Sequence, residues 1–178
     1  GPGDAWHEGR GASLGRVAKG KRMERAWEGG GAKGLMLDYD GDEGAGMGPI
    51  APETGARVPG MLDPGLAGEN PRDVGPTVGV QAAKFAEICK VVCADPTVDL
   101  VTVQGLMPMN SGDPFDPAPL RGVLDSTDKP VLASGRIAQN ASDTCRPAPG
   151  ETRVPLTHCL PGPMRAVEGL SPAWARPR

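Results

Sequence analysis

The chain has 178 residues, one domain of ordinary size or a little more, and its 19 Lys and Arg against 22 Asp and Glu leave a net charge of −3. So balanced a charge argues against nucleic acid or an anionic membrane surface as the main partner, and no apolar run approaches the roughly 18 residues of a membrane span. The 27 Gly and 20 Pro bring the composition near low complexity, but outright disorder usually needs high net charge as well.

Residues 1–20 carry no hydrophobic period and read as a tail. They contain no apolar stretch of the kind a secretory leader has, and the leading Gly1-Pro2 reads as a cleavage scar. A rhythm begins at Lys21, with a weak strand over Lys21–Trp27 that Gly29-Gly30-Gly31 breaks. Leu35, Met36 and Tyr39 then fall at helical spacing within 32–43. A short strand is expected over Met47–Ile50, and Pro52-Glu53 opens a helix that ends near Leu62. Proline is accepted in a first helical turn because the amide there has no helical partner.

The second half is more regular. Ala83, Phe85, Ala86, Ile88, Cys89, Val92 and Cys93 predict a helix over Val80–Ala94, which Asp95-Pro96 terminates. V-D-L-V-T-V over Val98–Val103 is a β-branched run suited to a strand covered on both faces. A helix follows over Pro117–Asp125 with Asp116 as its N-cap. Pro130–Ala133 is a further strand, Ala138–Cys145 a short helix, Arg153–Leu156 a last strand and Pro163–Leu170 a last helix. Strands alternating with helices at this interval predict an α/β fold with a parallel sheet, with right-handed crossovers putting helices on both faces.

Cys89 and Cys93, four residues apart, share a helix face. They read as a buried pair, with half of a metal site as the other reading; His158-Cys159 gives no zinc spacing. Reduced thiols suggest the cytoplasm.

Parallel sheets bind ligands at the carboxyl ends of their strands. Three segments are expected there. The first is Gly29, Gly30, Gly31, Ala32, Lys33 and Gly34, whose amides open a helix and suit an anion. It satisfies G-x-G-x-x-G formally, but the acid at dinucleotide distance, Glu53, stands in a helix start and not at a strand tip. The second is Asn70-Pro71-Arg72-Asp73, read as a loop. The third is Gln104-Gly105-Leu106-Met107-Pro108, directly after the central strand. Past the next strand, Arg136, Gln139 and Asn140 suit a carboxylate or phosphate, or equally a helix cap.

The ordered series Gly30–Leu35, Ala51-Pro52-Glu53-Thr54, Asn70–Asp73, Val98–Gly105, Pro114-Phe115-Asp116-Pro117, Asp128–Ala133, Arg136–Asn140, Val154-Pro155-Leu156 and Gly162–Val167 resembles the NDP-forming acyl-CoA synthetases, relatives of succinyl-CoA synthetase. The resemblance spans about 21–170 and implies a flavodoxin-like three-layer subdomain with about five parallel strands, with 1–20 and 171–178 as tails. It implies part of an acid–thiol ligase, not a whole enzyme. CoA, ATP and magnesium are implied for the full enzyme, on CoA-binding and ATP-grasp modules of the same enzyme or of a partner subunit, and none of them is assigned to this chain. By the same likeness, Gly29–Lys33 steady a phosphohistidine, Gly105, Leu106 and Met107 help hold a small carboxylate substrate, and Asn70 stands beside them as a substrate- or phosphate-binding residue. No catalytic residue or metal ligand is assigned. His7-Glu8-Gly9 is similar to the family's His-x-Gly but stands too close to the glycine loop, and His158 reads as a packing or surface residue. Glu28, where the family has a small polar residue, opposes an anion at the loop.

Overall fold

The computed structural model describes residues 16, 18–20, 22–27, 48–66, 72–79, 81–104, 106, 116–134 and 156–157. The described strands are β1 (Met23–Trp27), β2 (Arg72–Asp73), β3 (Leu100–Gln104), β4 (Val131–Ser134) and β5 (Leu156–Thr157). All neighbouring pairs are parallel, in the order β2-β1-β3-β4-β5. The described helices are α1 (Pro52–Arg57), the single turn α2 (Pro76–Gly79), α3 (Ala82–Cys93) and α4 (Ala118–Asp125). None of them is long and apolar enough to cross a membrane.

The core follows from the alternation of the strands. Ala26, Val101, Val103, Val131 and Ala133 lie in one cluster with Val58, Leu62 and Val74 and with the inner sides of α3 and α4. Phe85, Ile88, Cys89, Val92 and Leu120 and Val123 are fully buried there. Period two places Leu100, Thr102, Gln104 and Leu132 on the opposite face, and they are buried as well. Both faces of the central strands are therefore covered, as their continuous apolar composition predicts. The helices expected over 32–43, 138–145 and 163–170 lie outside the described residues.

Several expectations shift for identifiable reasons. The strand expected over Met47–Ile50 does not form in its described part, Gly48–Ile50. Pro49 has no amide to give a ladder, its carbonyl accepts from Thr97 Oγ1 at 3.2 Å, and the Ala51 amide donates to Asp95 Oδ2 at 2.9 Å. The strand next to β1 is instead Arg72–Asp73, from the segment read as a loop, pairing with Ala26 and Trp27. The helix opened by Pro52 does reach toward Leu62, but it tightens into a 3₁₀ turn over Val58–Met61. Pro59 removes an amide that a continuing α-helix would use. Helix α4 begins at Ala118, so Pro117 and not Asp116 holds the N-cap position; Asp116 stands one residue ahead of it, its Oδ1 accepting from the Ala118 amide at 2.9 Å.

Cys89 and Cys93 are buried under the sheet and form no disulfide. Burial pushes the Cys93 thiol up to about 12, although Lys129 and Arg16 pull the other way. A thiol reacts as its thiolate, so both are expected to be inert in the folded chain. In a variant with Cys145 and Cys159 replaced by Ser, Ellman's reagent at pH 8 should titrate no thiol before denaturant is added. Rapid labelling of Cys93 in the native chain would contradict its burial.

Candidate functional site

The two edges of the sheet differ in chemistry. At the amino edge the residues just ahead of the strands are tied to each other. The Arg22 amide donates to Asp99 Oδ2 at 3.0 Å, its Nε to the same oxygen at 3.1 Å and its Nη2 to Oδ1 at 3.3 Å. The Asp99 amide returns a bond to the Arg22 carbonyl at 2.8 Å. Burial alone would raise the Asp99 carboxyl, but the Arg22 bonds outweigh it and hold the carboxyl below its ordinary range. Arg16 Nη1 donates to the carbonyls of Leu124 and Lys129, and Ala18 is buried, so packing at this edge begins ahead of residue 20. Lys129 Nζ donates to the Asp95 carbonyl.

A cleft of about 380 Å³ opens here, lined by Lys19, Arg22, Val98, Asp99, Asp128 and Lys129 among others. Its acids already have cationic partners: Asp99 pairs with Arg22, and Asp128 with Lys19 at 3.7 Å, the latter pair largely exposed. Exposed pairs of this kind contribute little. The cleft is at the wrong end of the strands for the ligand site of a doubly wound sheet, which lies beyond the carboxyl ends where the strand order reverses.

In this chain that reversal falls between β1 and β3. The last residues of the five strands form a row across the carboxyl edge. Asp73 pairs in register with Trp27, Trp27 with Gln104, Gln104 with Ser134, and Ser134 with Thr157. Gln104 stands at the centre of the row and beside the reversal. It is 4% exposed, and neither its Nε2 nor its Oε1 has a hydrogen-bond partner among the described residues. A buried amide left in that state costs about 1–3 kcal/mol for each orphaned group. Two residues on, Leu106 holds a left-handed backbone at φ 61° and packs against the core. A bulky residue there stores roughly 1–2 kcal/mol of strain. At the β2 tip, the Asp73 side chain is turned back on its own chain, Oδ1 accepting from the Gly75 amide at 2.9 Å.

Of the residues assigned to the loop site from the sequence, Leu106 is within the described set, two residues past the β3 tip; of the edge segments, Arg72, Asp73 and Gln104 are described as well. Gly29, Gly30, Gly31, Ala32, Lys33, Asn70, Gly105 and Met107 lie outside it. By chain distance, the glycine run starts two residues past Trp27, the end of β1, and Gly105 directly follows Gln104. Glu53, the acid at dinucleotide distance, sits in the first turn of α1 and not at a strand tip, whereas Asp73 does occupy a tip. In the sequence Gln104 heads the Gly- and Pro-rich segment expected at this edge, but nothing there singles out its side chain from the rest of the loop. The available signal was the alternation Leu100, Thr102, Gln104, which carries the buried face one step past the apolar run. Among the described residues, no three His, Cys, Asp or Glu side chains gather as metal ligands.

No family model and no curated protein matches the sequence. Solved structures do match the fold. PH0766 from Pyrococcus horikoshii OT3 is similar with a TM-score of 0.67 and 18% identity over 85% of this chain and 35% of that one. Dinucleotide forming acetyl-coenzyme A synthetase 1 from Ca. Korarchaeum cryptofilum, in complex with phosphate and ADP, is similar with a TM-score of 0.64 and 19% identity, over 90% of this chain and 34% of that one. Its apo form gives a TM-score of 0.62 at the same identity. The present chain spans about a third of the length of these structures. At this identity the likeness is one of fold, an α/β arrangement around a parallel sheet.

Proposed function

We propose that the chain is the ligase subdomain of an NDP-forming acyl-CoA synthetase, inactive alone, that positions a phosphohistidine and a small carboxylate for acid–thiol ligation. The observation that carries this reading is the buried, unpartnered Gln104 amide at the β1/β3 reversal, in a fold shared with an acetyl-coenzyme A synthetase. The order β2-β1-β3-β4-β5 is the flavodoxin-like one, whose ligand site is at this reversal. In this reading residues 21–170 are the subdomain, between flanking segments 1–20 and 171–178. The amides of Gly29, Gly30, Gly31 and Ala32 steady the phosphoryl group at a helix start, with Lys33 adding charge. Asn70, Gly105, Leu106 and Met107 border the acid. CoA-binding and ATP-grasp modules of the same cytoplasmic enzyme, or of a partner subunit, supply CoA, ATP and magnesium.

Glu28 favours a second reading, a non-catalytic module of the same fold that binds a small anion or a partner chain. At about 4 Å and an effective dielectric near 20, a carboxylate opposes an anionic charge by roughly 4 kcal/mol. The helix dipole returns at most about 2 kcal/mol.

Titration of the ¹⁵N-labelled chain with propionate and with phosphate tests the proposal. Propionate is expected to shift the amides of Gln104 and Leu106, with phosphate weak until Glu28 is changed to Ser. With ATP, CoA and propionate the isolated chain should form no acyl-CoA. Absence of any shift at the carboxyl edge, or turnover by the chain alone that survives His7→Ala, would overturn the proposal.

A further inference from the structure

Gln104 places specific demands on what binds it. A primary amide presents one N–H donor and one C=O acceptor side by side on the same edge. Both are buried without a partner among the described residues, at the centre of the row of strand tips. A simple ionised carboxylate satisfies half of this. One of its oxygens accepts from Nε2, but a carboxylate has no hydrogen to give Oε1, and its second oxygen would face Oε1 as one acceptor against another. The complement is an acid with a donor on the carbon next to the carboxylate. A 2-hydroxy carboxylate has that pattern: a carboxylate oxygen accepts from Nε2–H, and the hydroxyl donates to Oε1.

We infer that Gln104 is a specificity-determining residue that selects 2-hydroxy carboxylates over plain carboxylates at the carboxyl edge. The inference rests on the acid-binding reading above and narrows it to a substrate class. The left-handed Leu106 supports it, because strain held two residues along the chain from a buried polar group points to a built site rather than a neutral loop. Sites that hydrogen-bond a substrate hydroxyl discriminate strongly, since the analogue lacking it leaves the protein group unpaired.

The test compares lactate with propionate, which differ by the hydroxyl, against the full chain and Gln104→Met. Methionine keeps the volume and removes both polar atoms. The side-chain amide resonance of Gln104, identified by its loss in the variant, reports binding. Lactate is expected to bind at least about tenfold more tightly than propionate to the wild type, the effect of one hydrogen bond of ordinary strength in a buried site. In Gln104→Met the two acids should bind alike. The variant's denaturation midpoint should equal or exceed that of the wild type, because a buried unpartnered amide has been removed; a merely structural Gln104 would lower it. Equal binding of the two acids by the wild type, or a preference that persists in Gln104→Met, overturns the inference while leaving the acid-binding reading intact. If neither acid shifts any carboxyl-edge resonance, the acid-binding reading itself falls, and this inference with it.

Discussion

Replacing Asp95 by Ala is expected to destabilise the chain by about 3 kcal/mol, the upper end for a charge-assisted hydrogen bond, because several partners are stranded together. Asp95 is 1% exposed. Its Oδ2 accepts from the Ala51 amide at 2.9 Å, fixing the start of α1. Its Oδ1 accepts from the Thr97 amide at 2.7 Å and the Thr97 hydroxyl at 2.6 Å, closing the turn between α3 and β3. The Thr54 hydroxyl adds a further bond. Helix α1 has no side-chain cap of its own at Ala51, so this carboxylate does that work from 44 residues away. Burial alone would raise the Asp95 carboxyl, but the bonds from Thr97, Thr54 and Ala51 outweigh it and leave it below the usual carboxylate range. A lowered folded-state pKa means stability that is complete above the unfolded value, near 3.9. It is lost as the pH falls through the lower folded value. Asp99 acts in the same direction. Guanidinium titrations from pH 7 down to pH 2 should therefore show a loss of stability on acidification that is smaller in Asp95→Ala than in the wild type. A cost below about 1 kcal/mol at pH 7, or an unchanged acid limb, would mean that solvent replaces the carboxylate.

Gly75→Ala is expected to cost about 3 kcal/mol as well, by a different route. Gly75 has φ +85°, where an L side chain is strained by roughly 1–2 kcal/mol. A Cβ added there would also lie 2.5 Å from Asp63 Cβ and 2.6 Å from its Cγ. Asp63 has little freedom to retreat. Its Oδ2 accepts from the Thr77 amide at 2.6 Å and its own amide donates to the Val74 carbonyl at 3.2 Å. Moving it sacrifices those bonds, at about 1 kcal/mol each. Gly65 provides the control, with φ +89° and nothing within 4 Å of an added Cβ. Gly65→Ala should show the backbone cost alone, about 1 kcal/mol, in the same urea titration. Equal costs at the two positions would mean that Asp63 moves aside freely.

The regular elements were legible where local chemistry and burial agree. The spacing of Phe85, Ile88, Cys89, Val92 and Cys93 marks a helix by itself, and those residues are buried in it. The apolar run Val98–Val103 marks a strand covered on both faces; the strand that forms, Leu100–Gln104, begins two residues later and is buried throughout. Asp116 ahead of Pro117 marks a helix start. In each case the information lies within one or two turns of chain, where period and capping act.

The second strand was not legible. Arg72-Asp73 has turn chemistry and no alternation, and it becomes a strand because β1 offers it an unpaired edge. The role of Asp95 was hidden for the same reason. In the sequence Asp95-Pro96 ends a helix, and so it does, but the carboxylate is held by Ala51 and Thr54, more than 40 residues upstream. The site divides along the same line. The expectation that a ligand sits at the carboxyl ends of the strands needs only the sequence, because period and connection length already predict a parallel sheet. Which side chain is buried there without a partner is a property of neither Gln104 nor its loop. It depends on β1 and β4 closing on both sides of β3, and a burial cost set by contacts between distant segments exists only once the chain has folded.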